Sequence, residues 1–263
     1  MTKHRFATEE IEKFSTVDLI SELKRRYQVL SRPERSCVLL GHPCSGVTTQ
    51  ATFLRKEWGM CSIKREDIFA KPESDVQEAV MKLSDEISSF RCRRGFVLEN
   101  FPQNEKEAKL FDTMLSKRQQ SPKEYTRILL STPSDTEEAR VNSLKIVTER
   151  ATGHMVHEPS GRVYNSNVPE LSAQNANTDD ITGEPLVCPR RDFSQLASSV
   201  RFWWSERRPQ LESYFGNRLY VVDASQSRDQ VSMEVSKILL SHGSDPVGAA
   251  SSKPGASDIQ ESH

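Results

Sequence analysis

The stretch Ser36 to Gln50, SCVLLGHPCSGVTTQ, holds the residues whose types and spacing point to chemistry. Cys37, Val38, Leu39 and Leu40 make the short apolar run of a buried strand, and Thr49 to Trp58 has helical spacing, so Gly41 to Val47 is a strand-to-helix turn. In such a turn successive backbone N–H groups and the positive end of the helix dipole converge on an anion, and glycines let the backbone approach it. Gly41, Gly46 and Thr48 stand at the glycine and hydroxyl positions of the phosphate-loop pattern G-x-x-x-x-G-K-[ST]. The lysine position is Val47. A glycine pair in a plain structural turn would look the same, so the loop alone leaves both readings open.

The elements that must position this loop alternate. Phe96 to Glu99, Tyr125 to Ser131 and Arg218 to Asp223 read as further buried strands. Asp135 to Arg150, Phe193 to Phe215 and Gln230 to Leu240 read as helices, with Pro209 interrupting the second. Ahead of them, Val17, Ile20, Leu23 and Tyr27 recur at helical spacing behind a Ser15/Asp18 capping box. This helix either docks on the domain or meets a protein partner.

Composition sets the limits. The 263 residues are 35% hydrophobic, which suits one medium-sized domain with polar surface or tails. Lys+Arg 36 against Asp+Glu 37 gives no reason to expect nucleic acid as a partner. Cys37, Cys44, Cys61, Cys92 and Cys188 lack C-x-x-C spacing and read as reduced thiols. No apolar run is long enough to span a membrane, and Glu9 and Glu10 make a poor leader, so a cytoplasmic location is expected. Residues 241–263, rich in Ser, Gly, Ala and Asp, read as a disordered tail.

From Thr16 onward the chain resembles the adenylate kinases, which move a phosphoryl group between ATP and AMP. The blocks that carry the resemblance are GHPCSGVTTQ, GFVLENFPQ at 95–103, ERATGHMVHEPSGRVY at 149–164, DDITGEPL at 179–186 and VVDASQ at 221–226. STVDLISELKRR at 15–26 is similar to the N-terminal extension of plant-type members. The resemblance implies a three-layer α/β fold of the phosphate-loop NTPase type with a central parallel sheet. It further implies an N-terminal helical extension over 1–34 and a kinase-like domain over 35–240. Within that domain it implies a long ATP lid at 152–190 and a short AMP-side insertion at 64–94.

By the same resemblance, Mg-ATP would lie on Cys44, Ser45, Gly46, Val47, Thr48 and Thr49, with a threonine hydroxyl offered to the metal. Val163, Tyr164 and Gln226 would line the adenine. Arg150 would stack on the base, and Arg190 and Arg201 would reach the transferring phosphate, where fixed cations meet charge developing on equatorial oxygens. The family's further lid arginine is His154 here, mostly uncharged at neutral pH. The AMP side is degenerate. The family's threonine and arginine are Arg65 and Ala70, with Asp67 retained between them. Its D-G-F-P-R has Glu99, Asn100 and Gln103, and its adenine-reading glutamine is Glu107, which reads equally as a solvated charge. Gln103 cannot grip phosphate as a bidentate guanidinium does. Cys44, near a helix N-terminus, is either an activated thiol or an inert buried one. Where some members hold zinc with four cysteines, this chain has His157, Ser160, Asp179 and Thr182, better suited to a hydrogen-bonded staple than to a metal. These changes lead to the expectation of a nucleotide-binding protein with weak or lost phosphotransfer. A slow monophosphate kinase and a scaffold without nucleotide are the alternatives.

Overall fold

Strand β1 (Cys37–Gly41) lies at the centre of a parallel sheet. It pairs with β3 (Phe96–Glu99) on one side and β4 (Thr126–Ser131) on the other. Strand β2 (Cys61–Lys64) extends the sheet beyond β3, and β7 (Leu219–Asp223) extends it beyond β4. The computed structural model describes residues 15–69, 75–117, 125–160, 162–167, 172–175, 177–188 and 192–241. Both faces of β1 are buried, because a parallel sheet is covered by helices on each side. Val38 and Leu40 join a core with Leu98, Phe101, Phe111 and Leu129, while Cys37 and Leu39 join another with Leu54, Ile128 and Val235. The period of two along the strand divides these residues between the layers.

Helices alternate with the strands. They are α1 (Thr16–Ser31), α2 (Val47–Trp58), α3 (Arg65–Ile68), α4 (Val76–Ser88), α5 (Glu105–Ser116) and α6 (Glu137–Thr152). After an antiparallel hairpin of β5 (His154–His157) and β6 (Arg162–Asn165) come α7 (Phe193–Phe202), α8 (Arg208–Phe215) and α9 (Arg228–Ser241). Between α7 and α8, Trp203–Arg207 forms a π turn closed by Arg208 N–H on the Trp203 carbonyl. Proline lacks an N–H and its ring opposes the carbonyl four residues back, so the α ladder cannot pass unchanged through Pro209. None of the described helices is long and apolar enough to cross a membrane.

Two expectations need correction. The reading of five reduced thiols fails, because Cys61 and Cys92 form a disulfide with Cα atoms 5.0 Å apart. The partners are 31 residues apart, and β2 and the turn Phe90–Cys92 are what bring them together. Helix α1 has the Ser15/Asp18 capping box and docks on the domain with Leu19 and Val29 half-buried and Val29 against Gly59, but the apolar stripe picked out by the spacing is not the docked face. Tyr27 is 75% exposed, and Val17, Ile20, Leu23 and Leu30 are exposed with it. Guanidinium groups also hold the helix: Arg25 and Arg32 donate to the carbonyls of Lys56 and Glu57, and Arg94 donates to that of Val29.

Candidate functional site

The loop after β1 is built around backbone. A Cβ on Gly41 would collide with Ser45 Oγ and come within 2.7 Å of the Leu130 carbonyl, so only glycine fits there. Cys44 and Gly46 have positive φ (62° and 96°) and reverse the chain into α2, whose N-terminus no side chain caps. Thr48 is exposed and Thr49 half-buried in the first helical turn. Ser45 Oγ is buried with no hydrogen-bond partner. Uncapped N–H groups beside an unmatched buried hydroxyl fit a bound anion. Val47 is only 5% exposed and packs with Leu39, Ala51 and Leu130.

His42, absent from the residues expected at the site, fixes the loop from below. It is 2% exposed, and burial pushes its pKa down to about 4, so it is neutral at pH 7. The Pro43 carbonyl lies 2.8 Å from Nδ1, which therefore carries the proton. Nε2 then accepts from the Thr132 hydroxyl (3.0 Å) and N–H (3.3 Å), and the ring stands edge-on to Trp203 and Trp204. The second position of the loop pattern, next to Gly41, was the available signal for this residue.

Arg150 ends α6 over the loop. Its guanidinium donates to the carbonyls of Cys44 (3.3 Å), Ala224 (2.7 Å) and Gln226 (3.5 Å), joining the loop to the turn after β7. Burial lowers its pKa. Arg201 is exposed and lies off the stripe of α7 formed by Gln195, Ser198, Ser199 and Phe202. Arg190 and Ala70 fall outside the described residues.

The hairpin segment brings His157, Ser160, Asp179 and Thr182 together. His157 Nε2 faces Glu184 at 2.7 Å, and a carboxylate only accepts, so Nδ1 is free to take the Ser160 hydroxyl at 2.6 Å. Arg162 grips Asp179 with two bonds of 2.6 Å, and Tyr164, Ile181 and Thr182 donate to the same carboxylate. The Arg162 guanidinium holds the Asp179 carboxyl far below the usual carboxylate range. Tyr164, expected beside adenine, is thus buried in this network, because alternation on β6 points it the same way as Arg162. Val163 faces the other way and is partly exposed.

On the β2–β3 side, Glu107 corrects the solvated-charge reading. It is 4% exposed, bound by both Arg65 nitrogens at 3.0 Å and by the Gln103 N–H at 2.7 Å. The Arg65 guanidinium also covers the Phe69 ring, 4.0 Å from its centroid. Asp67 accepts from the Lys64 N–H at the start of α3, and Glu99 accepts from Ser62 Oγ at 2.5 Å. Asn100 takes a positive φ of 55° and donates its N–H to the Leu39 carbonyl. Between the phosphate loop, the turn after β3 and the α7–α8 helix lies a cavity of about 610 Å³. Gly41, Pro43, Asn100, Gln103, Trp203 and Arg207 are among its lining.

No protein-family model matches the chain. It is 28% identical over 254 residues to adenylate kinase 4 of Arabidopsis thaliana, covering 89% of this chain and 98% of that relative. Adenylate kinase 4 of Oryza sativa subsp. japonica is 26% identical over 254 residues, covering 89% and 99%. An adenylate kinase of Vanderwaltozyma polyspora is 30% identical over 227 residues, covering 77% and 94%. With the parallel sheet, the loop after its central strand and these nearly full-length alignments, the chain belongs to the adenylate kinase family.

Proposed function

We propose that this chain binds Mg-ATP on the loop Cys44–Thr49 and transfers phosphoryl groups slowly or not at all. Val47 carries the proposal. The side chain at the lysine position is an apolar core residue, so the loop offers the triphosphate backbone dipoles and no movable cation. Losing one pre-organised charge stabiliser costs about 10²–10³ in rate, roughly 3–4 kcal/mol of transition-state stabilisation. The acceptor side is weakened too, because Arg65 and Glu107 satisfy each other where the resemblance puts AMP contacts. Arg150 supports the donor half, as a cation hydrogen-bonded to the Cys44 carbonyl of the loop. Thr48 or Thr49 would supply the protein's hydroxyl to magnesium, while the Glu99 carboxylate is engaged by Ser62. The metal would therefore be held chiefly by the nucleotide it arrives with. Cytoplasmic location and a protein partner for the exposed face of α1 belong to the same reading.

The test is a calorimetric titration with ATP and magnesium, followed by AMP, with ADP formation read from the same sample. Micromolar heat of ATP binding without ADP is the expected result. Turnover at ordinary kinase rates would sink the proposal. Val47→Lys should then tighten ATP binding, since it returns a charge-assisted donor to the loop.

A further inference from the structure

Helix α1 presents an outward stripe that stands exposed among the described residues. Ile20, Leu23, Tyr27 and Leu30 follow one another at intervals of three, four and three residues, with Val17 beside Ile20, and all of them are exposed. Alternating steps of three and four are the seam along which one helix packs on another. From Val17 to Leu30 the stripe runs about 20 Å, roughly two heptads. Its inner side is fixed, because Arg25 and Arg32 hold the carbonyls of Lys56 and Glu57, and Arg94 holds that of Val29. The face is presented already ordered, which lowers the cost of docking on it.

Charge decides the occupant. At about 100° per residue, the carboxylates of α1, Asp18 and Glu22, stand about 160° from Ile20, on the docked side. Lys24 stands only about 40° from Ile20, and Arg26 borders the stripe next to Leu23 and Leu30. Lys24 is exposed and makes no hydrogen bond or ion pair among the described residues. Arg26 pairs with Glu22 at 2.8 Å and still has a 69% exposed side chain. The outward half of the helix is apolar and positive. Lys24 also lies at the middle of the stripe, so a two-fold contact in either direction would set it against its own copy, which is repulsive. An anionic lipid surface would accept the charge, but it has no register for a seam of threes and fours, and one unpaired lysine adds little attraction there. We propose that this face docks an amphipathic helix of a partner protein whose apolar seam is flanked by glutamate or aspartate. The inference rests on the reading of α1 as a partner-binding helix and names the chemistry of that partner.

The test titrates the full chain with two synthetic peptides of about three heptads, leucine at the first and fourth positions, one flanked by glutamate and one by lysine. Vesicles containing phosphatidylserine and a sedimentation run on the chain alone complete it. The glutamate peptide should bind at least about tenfold more tightly than the lysine peptide, and Lys24→Glu should reverse that preference. Leu23→Ser should weaken the glutamate peptide about tenfold or more, because the leucine would no longer be buried in the seam. Both side chains are exposed, so both variants should keep the denaturation midpoint of the unaltered chain. Equal or preferred binding of the lysine peptide overturns the acidic partner and leaves α1 a partner-binding helix. Vesicle binding in place of peptide binding overturns both the inference and the reading beneath it. Self-association that Leu23→Ser abolishes, an unchanged response to the glutamate peptide in Leu23→Ser, or no binding of either peptide overturns the inference.

Discussion

Two buried carboxylates, each gripped by one arginine fork, do different work in this molecule. Asp179 gathers Arg162, Tyr164 and Thr182 across the hairpin segment, so its network ties separate turns together. Glu107 gathers Arg65 and the Gln103 N–H, and the pair stands beside the cavity with its guanidinium on Phe69. The bond chemistry is the same, but the location differs. In the hairpin the fork sets the shape of a covering segment. Beside the cavity it takes space and charge that a ligand would otherwise use.

The strongest way to break this comparison is to remove both carboxylates in turn. Glu107→Ala leaves a largely buried guanidinium and the Gln103 N–H without their acceptor, and should cost about 3–5 kcal/mol of global stability in denaturant titrations. Asp179→Ala should instead speed hydrogen exchange across residues 154–188 while the central sheet keeps its protection. If the hairpin variant lowered global stability more than the Glu107 variant, this division of roles would be wrong.

Next in size is the disulfide, which closes the chain around Arg65 and Asp67. For a loop spanning 31 positions Cys61→Ser should cost about 3.7 kcal/mol in the chain-entropy account, measured as a lower denaturation midpoint. A Cys61→Ser midpoint equal to the reference would mean that the bridge adds nothing to the cavity side.

His42 gives an effect of similar or slightly smaller size that depends on pH. Its folded pKa, about 4, lies below its ordinary value near 6.5, so the unfolded chain takes up a proton first as pH falls. Its contribution is fully present above about pH 6.5 and declines toward pH 4, by roughly 3 kcal/mol in all. His42→Gln should flatten the stability profile over that interval. An identical slope in the two proteins would show that another group titrates there.

The smallest effect sharpens the donor half. Thr136 accepts the Ala139 N–H at the start of α6, the helix that ends at Arg150. Thr136→Ala should cost about 1 kcal/mol in stability. Mg-ATP affinity should hardly change, because Arg150 lies at the far end of the helix and is held by the Cys44 and Ala224 carbonyls.

The phosphate-type loop was legible because its signals are local: an apolar run, two glycines at fixed spacing and a helical pattern behind them. The strands at 37–41, 96–99, 126–131 and 219–223 were legible for the same reason. Strand β2 was not, since four residues at a sheet edge carry little periodicity, and its register is set by pairing with β3. The outward face of α1 was also hidden. Spacing shows that an apolar stripe exists, and only the contacts show which way it points.

The sequence by itself determined the alternating α/β order, the loop, the missing lysine at Val47 and the altered residues on the acceptor side. Tertiary structure alone decided what those substitutions do. Arg65 and Glu107 are 42 positions apart and read separately as two altered AMP-side positions, Glu107 equally as a solvated charge; folding makes them one largely buried pair. Cys61 meets Cys92 for the same reason. Arg207 faces the cavity because a π turn shifts the helical phase, a displacement of one residue that a 3.6-residue period does not foresee. Local patterns fix what each segment becomes, whereas pairing between distant segments fixes which charges are neutralised and which are left to bind.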